Sequence, residues 1–175
     1  NDASRLAATI RSRCQSLPIR PPAPEDSKAW LQGYSKVGPE EAGLALQAAA
    51  NSPLQAALLL QQGRVDDYRN LLELLQRISQ DSEELAAAYD ALFKLEPTEL
   101  WHWLAVASAE KLRSSLLAEA LPSSQYKSPR NRRLQRHWAG LYQLANRNHK
   151  LLSTPVRKDL LLRDWLIQWS APTGS

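Results

Sequence analysis

The 175 residues contain no methionine, one cysteine (Cys14), one phenylalanine and six glycines. A single cysteine excludes an internal disulfide and a cysteine-based zinc site, and it makes the cytoplasm the natural compartment. No apolar run approaches the roughly twenty residues that cross a bilayer, and the polar start has no signal-peptide core. Neither a phosphate-cradling Gly-x-x-x-x-Gly-Lys loop nor a dinucleotide-binding Gly-x-Gly-x-x-Gly pattern occurs. His102, His137 and His149 lack metal-ligand spacing, and no two carboxylates are spaced for acid–base work. An enzyme acting on its own therefore has no supporting constellation. With no methionine to start it, the chain is expected to be a processed product or a piece of a longer protein.

What is present is ordinary for a globular chain: 43% hydrophobic and 23% charged residues, with a formal net charge of +4. A mildly basic balance permits a phosphate-rich partner without demanding one. The length suits one domain or two small ones. Along Thr9–Ile19 the pattern alternates, with Ile10, Ser12, Cys14 and Ser16 on one side and Arg11, Arg13 and Gln15 on the other. This predicts an extended strand. Cys14 then points with Ile10 toward a core, as a small buried thiol rather than a nucleophile. A lone strand has unpaired edges and needs a sheet that the rest of the chain does not supply. The stretch is therefore expected to close a larger α/β body.

Everything beyond Pro21-Pro22-Ala23-Pro24 reads as helix. Pro24, Pro39 and Pro53 each open a short helix at the position where a missing N–H costs nothing. Acids follow the first two, and Ser52 is the expected N-cap of the third. The apolar sides are Trp30, Leu31 and Tyr34; Ala42, Ala45, Leu46 and Ala49; and Leu54, Ala57, Leu58 and Gln61. Gly63 ends this three-helix unit. About five more helices follow. The fourth, near 66–79, buries Tyr68, Leu71, Leu72, Leu75 and Ile78. The fifth starts at Asp81-Ser82-Glu83-Glu84 and buries Leu85, Ala88, Tyr89 and Leu92. The sixth runs from Pro97 to about Ala120, with Trp103 off its main stripe and facing a second neighbour. Turn chemistry fills Leu121–Pro129. The seventh, near 130–152, uses Leu134, Trp138, Leu141, Tyr142 and Ala145. The eighth follows Thr154 as N-cap and buries Leu161, Leu162, Trp165, Leu166 and Trp169. The fold class is all-α behind a remnant strand, divided at 1–20, 21–63 and 64–175.

The stretch Arg5-Leu6-Ala7-Ala8-Thr9-Ile10-Arg11-Ser12-Arg13-Cys14-Gln15 resembles the segment after sensor 1 in the clamp-loader family of AAA+ ATPases, including its Ser-Arg-Cys signature. The resemblance implies that 1–20 is the end of a nucleotide-binding core, that 21–63 is a three-helix lid and that 64–175 is a helical collar. In that family the third lid helix opens with an arginine that reaches the subunit's own nucleotide. Here Asn51-Ser52-Pro53-Leu54 puts a leucine there, which cannot touch a phosphate. That departure favours a subunit that does not turn over ATP. The resemblance implies no cofactor in this chain, ATP being held by the neighbouring subunit. The implied partners are motor and delta subunits met through the collar, with the sliding clamp and primed DNA reached indirectly.

Two candidate sites follow. Arg13 is either a surface arginine at a strand-to-linker corner or, by resemblance, an arginine finger given in trans to a neighbour's ATP. A guanidinium suits the latter because it is planar, always charged and donates two hydrogen bonds at once. The second candidate is the basic run Lys127, Arg130, Arg132, Arg133, Arg136, Arg147 and Lys150, with no acid among these cations. It is either the solvated face of the seventh helix, with Trp138 and Tyr142 in the core, or a phosphate- or partner-contacting face. The alternative function is thus a helical nucleic-acid-binding module using residues 127–150. No base-reading motif accompanies it. The tryptophans Trp101, Trp103, Trp165 and Trp169 read as core, with interface contacts as the other possibility.

Overall fold

The computed structural model describes Thr9, Arg13, residues 20–120 and residues 129–171. Of the stretch read as a strand, Thr9 is helical and Arg13 lies in a turn; the rest of it, Cys14 included, falls outside the described residues. So do the tail and most of the Leu121–Pro129 turn. Among the described residues there is no strand, and the architecture is all-α.

Among the described residues from Pro24 onward, eight α-helices follow one another: α1 (Pro24–Ser35), α2 (Pro39–Ala48), α3 (Pro53–Gln61), α4 (Val65–Gln80), α5 (Leu85–Leu92), α6 (Pro97–Ala120), α7 (Pro129–Leu151) and α8 (Lys158–Ser170). A 3-10 turn, Ser82–Glu84, leads into α5, with the Asp81 carboxylate accepting the Glu83 N–H at 2.9 Å. The proline starts hold as read for α1, α2 and α3. Ser52 does occupy the N-cap of α3, in extended conformation, but its hydroxyl makes no capping hydrogen bond. Thr154 does not open α8. Its hydroxyl donates to the Leu151 carbonyl at 2.7 Å, closing α7 instead, and Arg157 stands at the N-cap of α8.

α2 and α3 end in the same way. After α3, the Arg64 N–H bonds back to Leu59 O at 2.9 Å and the Gly63 N–H to Leu60 O at 3.1 Å, with Gly63 left-handed at φ 66°. After α2, the Asn51 N–H bonds to Leu46 O at 2.8 Å and the Ala50 N–H to Gln47 O at 3.0 Å. The left-handed position there is Ala50, at φ 49°, followed by Asn51 at φ 63°. Glycine is the residue this cap favours, and alanine bears the Cβ clash that glycine avoids.

The core is one continuous cluster that runs from Leu31 to Trp169. Its first part, between α1, α2 and α3, is mostly alanine: Ala42, Ala45, Ala48, Ala49, Ala56 and Ala57, with Leu31, Leu46 and Leu59. Of the side expected for α3 only Ala57 is buried. Ala56, Ala57 and Leu59 face inward, whereas Leu54 is 76% exposed and Leu58 and Gln61 are also exposed. The apolar residues nearly encircle this helix, so periodicity could not choose a face, and the small side chains turn toward close neighbours. On α1 only Leu31 of the expected trio is buried; Trp30 and Tyr34 stack on each other at the surface, centroids 5.0 Å apart.

The second part of the core is aromatic. α6 and α7 pack along their lengths, and α8 lies against α4, α5 and α7. Trp169 donates its indole N–H to Leu75 O of α4 at 2.8 Å, and Trp165 donates to Leu141 O of α7 at 3.2 Å. The two rings stack at 5.1 Å, and Trp138 of α7 meets Trp169 at 4.9 Å. Tyr142 is not in the core with Trp138, as one reading had it, but 41% exposed. Trp103 is fully buried and packs on Tyr68 of α4, the second neighbour expected of it.

Two outcomes test this packing. Trp169→Ala should cost about 3–5 kcal/mol, and Trp169→Phe, which keeps a ring but not the N–H, distinctly less. Ala50→Gly should stabilise the fold by roughly 0.5–1 kcal/mol, since the left-handed strain removed exceeds the added chain entropy. Urea midpoints at unchanged slope read both.

Candidate functional site

Three places carry chemistry. Arg13 is exposed in its turn, ahead of the prolines that lead into α1. The second place is the outer face of α7. Arg132, Arg136, Arg147 and Lys150 follow one another at intervals of four, eleven and three residues, which are about one, three and one helical turns. They share one side. Core residues lie about two and a half turns away from them, on the opposite side: Leu141 from Arg132 and Lys150, Ala145 from Arg136, Trp138 from Arg147. All four cations are exposed, as is Arg133 at the edge of the row. Lys127 and the side chain of Arg130 lie outside the described residues. Among the described residues none of these five cations is in an ion pair; the Arg136 Nε donates to the Arg132 carbonyl at 3.3 Å.

The third place was not legible in the sequence. At the junction of α3 and α4, Arg64 donates through Nε to Asp67 at 2.6 Å and through Nη2 to Glu99 of α6, while its guanidinium carbon lies 5.9 Å from the centre of the Trp103 ring. Asp67, three residues on, could have been guessed from helical spacing. Glu99 and Trp103 are brought in only by packing. Beside this group a cleft of about 460 Å³ is lined by Ser52, Gln55, Glu96, Glu99, His102 and His149, among others. The His102 Nε2–H donates to Ala48 O at 3.1 Å, tying α6 to the end of α2. The Glu96 carboxylate accepts the Glu99 N–H at 2.9 Å, which holds Glu96 below the usual carboxylate range. Glu99 is pushed the other way. Burial raises it, the negative charges of Asp67 and Glu96 add to this, and together they outweigh the pull of Arg64.

In apolar surroundings, burial also lowers His137 and raises the Tyr68 phenol, the latter with help from the charge of Glu110. The Tyr68 hydroxyl, the His137 Nε2 and the Asn148 amide nitrogen are buried without hydrogen-bond partners. Among the described residues no group of three or more His, Cys, Asp or Glu side chains is placed to hold a metal ion, and no helix is long and apolar enough to cross a membrane. No protein-family model, curated protein or solved structure matches the chain.

The Arg64 junction makes a pH prediction. Because the folded state raises Glu99 above its ordinary 4.5, this carboxyl contributes stability in acid and loses it as pH rises through the folded value. Arg64 offsets that loss at neutral pH. Arg64→Met should therefore cost about 1–2 kcal/mol at pH 7, the range for a partly buried pair, and progressively less as acid protonates Glu99. Chemical denaturation of both proteins from about pH 7 to pH 4 reads the convergence.

Proposed function

We propose that the chain is the lid and collar part of a clamp-loader subunit of the stator type, as in the delta-prime subunit of bacterial DNA polymerase III. In this reading residues 1–20 end an AAA+ nucleotide-binding domain, and the division at 21–63 and 64–175 separates lid from collar. The collar joins motor and delta subunits in a ring that loads the sliding clamp onto primed DNA. The subunit turns over no ATP itself and takes part in replication as a member of a DNA-directed DNA polymerase assembly.

The observation that carries the reading is the placement of Arg13. It is exposed in a turn ahead of three short proline-started helices, with a longer helical array behind them. A trans finger needs an uncommitted guanidinium on a body that other elements hold in place. Leu54, in the position of the family's cis arginine, projects into solvent and offers a phosphate nothing. The exposed apolar side chains Leu116, Leu117, Leu160 and Ile167 on α6 and α8 suit a collar that meets neighbours.

The test is Arg13→Ala in the full-length subunit, reconstituted with motor and delta subunits. Hydrolysis at the adjacent site, stimulated by clamp and primed DNA, should fall by about a thousandfold or more, with ring assembly unchanged. An intact ring with an unchanged rate would remove Arg13 from the mechanism. Failure of the chain to join the ring at all would end the clamp-loader reading.

A further inference from the structure

The cations at the start of α7 sit where they oppose the helix that carries them, whereas Lys150, in its last turn, is where the dipole favours a cation. Arg132 and Arg136 are one turn apart, as are Arg147 and Lys150, so like charges face each other on the same side. Arg132 and Arg133 also stand near the N-terminus of α7, where the helix dipole is positive, and no acid lies in that first turn. Other helices of the chain do the reverse. Acids occupy the first turns of α1, α2, α4, α6 and α8. Elsewhere among the described residues Arg64, Arg69, Arg77, Arg113 and Arg157 each pair with an aspartate or glutamate, while Arg13, Arg20 and Arg163 stand singly rather than in a row. Among the described residues no carboxylate pairs with the cations of α7.

We infer that the outer face of α7 binds the phosphate backbone of a nucleic-acid duplex. The row from Arg132 to Lys150 is straight and spans about 27 Å at 1.5 Å per residue. It matches a rod that carries negative charge at regular short intervals. A guanidinium donates two parallel hydrogen bonds to a phosphate, so the arginines of the row are suited to the task. Between the two cation pairs the face carries Ala139, Gly140 and Gln143, with Tyr142 and Asn146 along its edge. A protein partner would need large apolar anchors at the centre of the patch, whereas the nearest such side chains, Tyr142 and Leu151, lie at its edge beside Arg147 and Lys150. A single strand would need several aromatic platforms along the row, and only Tyr142, beside Arg147 and Lys150, stands near it among the described residues. Contacts made only to phosphates read no sequence. This surface lies outside the ring-assembly reading and stands or falls without it, because the chain alone carries the whole face.

The experiment is anisotropy titration of a labelled mixed-sequence DNA duplex with the 175-residue chain at several salt concentrations. With four phosphate contacts, log affinity should fall against log salt with a slope near −4, a loss of about a hundredfold between 50 and 200 mM. The variant Arg132→Gln/Arg136→Gln/Arg147→Gln/Lys150→Gln should lose most of the affinity and the slope, and the melting temperature of Arg132→Gln/Arg136→Gln should stay equal or rise. Arg132→Glu alone, which creates a favourable pair with Arg136, should melt higher and lower the slope by at least about one unit. The inference is overturned if duplex affinity and slope survive the fourfold variant. It is equally overturned if Arg132→Gln/Arg136→Gln alone melts lower, since those charges would then serve the fold. Polyglutamate, or a single strand of the same sequence, binding as tightly as the duplex would also overturn it.

Discussion

The Trp169 indole sits where α8, α4 and α7 meet, and the arrangement of the C-terminal helices depends on it. Its N–H is fixed on Leu75 O, one flank stacks on Trp165 and another meets Trp138. Trp165 repeats the device one turn earlier by donating to Leu141 O. An indole must bury a large apolar surface and also satisfy one donor, and few positions allow both. Two such rings on one short helix therefore fix its rotation. Because Trp138 and Leu141 are held on the inner side of α7, the row from Arg132 to Lys150 is turned outward. The exposed charge is a consequence of the buried aromatics.

The alanine-rich unit at the other end works differently. Small side chains let α1, α2 and α3 approach closely but bury little apolar area each. That unit leans on the remainder through the packing of α2 on α4 and α6, the His102 bond to Ala48 O and the Arg64 group under α6. The last of these mixes favourable and unfavourable electrostatics: the guanidinium satisfies a carboxylate whose burial its neighbours Asp67 and Glu96 make costlier.

Between Pro24 and Ala120 the helices and most of their starts were legible in the sequence because proline, acids and glycine act locally. Pro24, Pro39, Pro53 and Pro97 all open helices, and Gly63 closes one. What was not legible was rotation where apolar residues surround a helix, as on α3, and capping where two roles suit one residue, as at Thr154. Tyr142 was misjudged because an amphipathic ring satisfies either side of a helix boundary. The outer cations of α7 could be read directly, since nine-residue offsets from Leu141, Ala145 and Trp138 follow from the helical period. That they form no ion pair among the described residues could not, because pairing depends on which helices become neighbours. The Arg64 junction was invisible for the same reason, joining residues 35 positions apart.

A helix whose like charges crowd one side makes the whole molecule sensitive to its ionic surroundings. Mobile counterions gather along such a ridge and soften its self-repulsion, so added electrolyte should tighten the native state rather than loosen it. A polyanion seated there would do the same more strongly, holding the folded form by mass action. The durability of this fold would then be a property of the company it keeps as much as of its own interior.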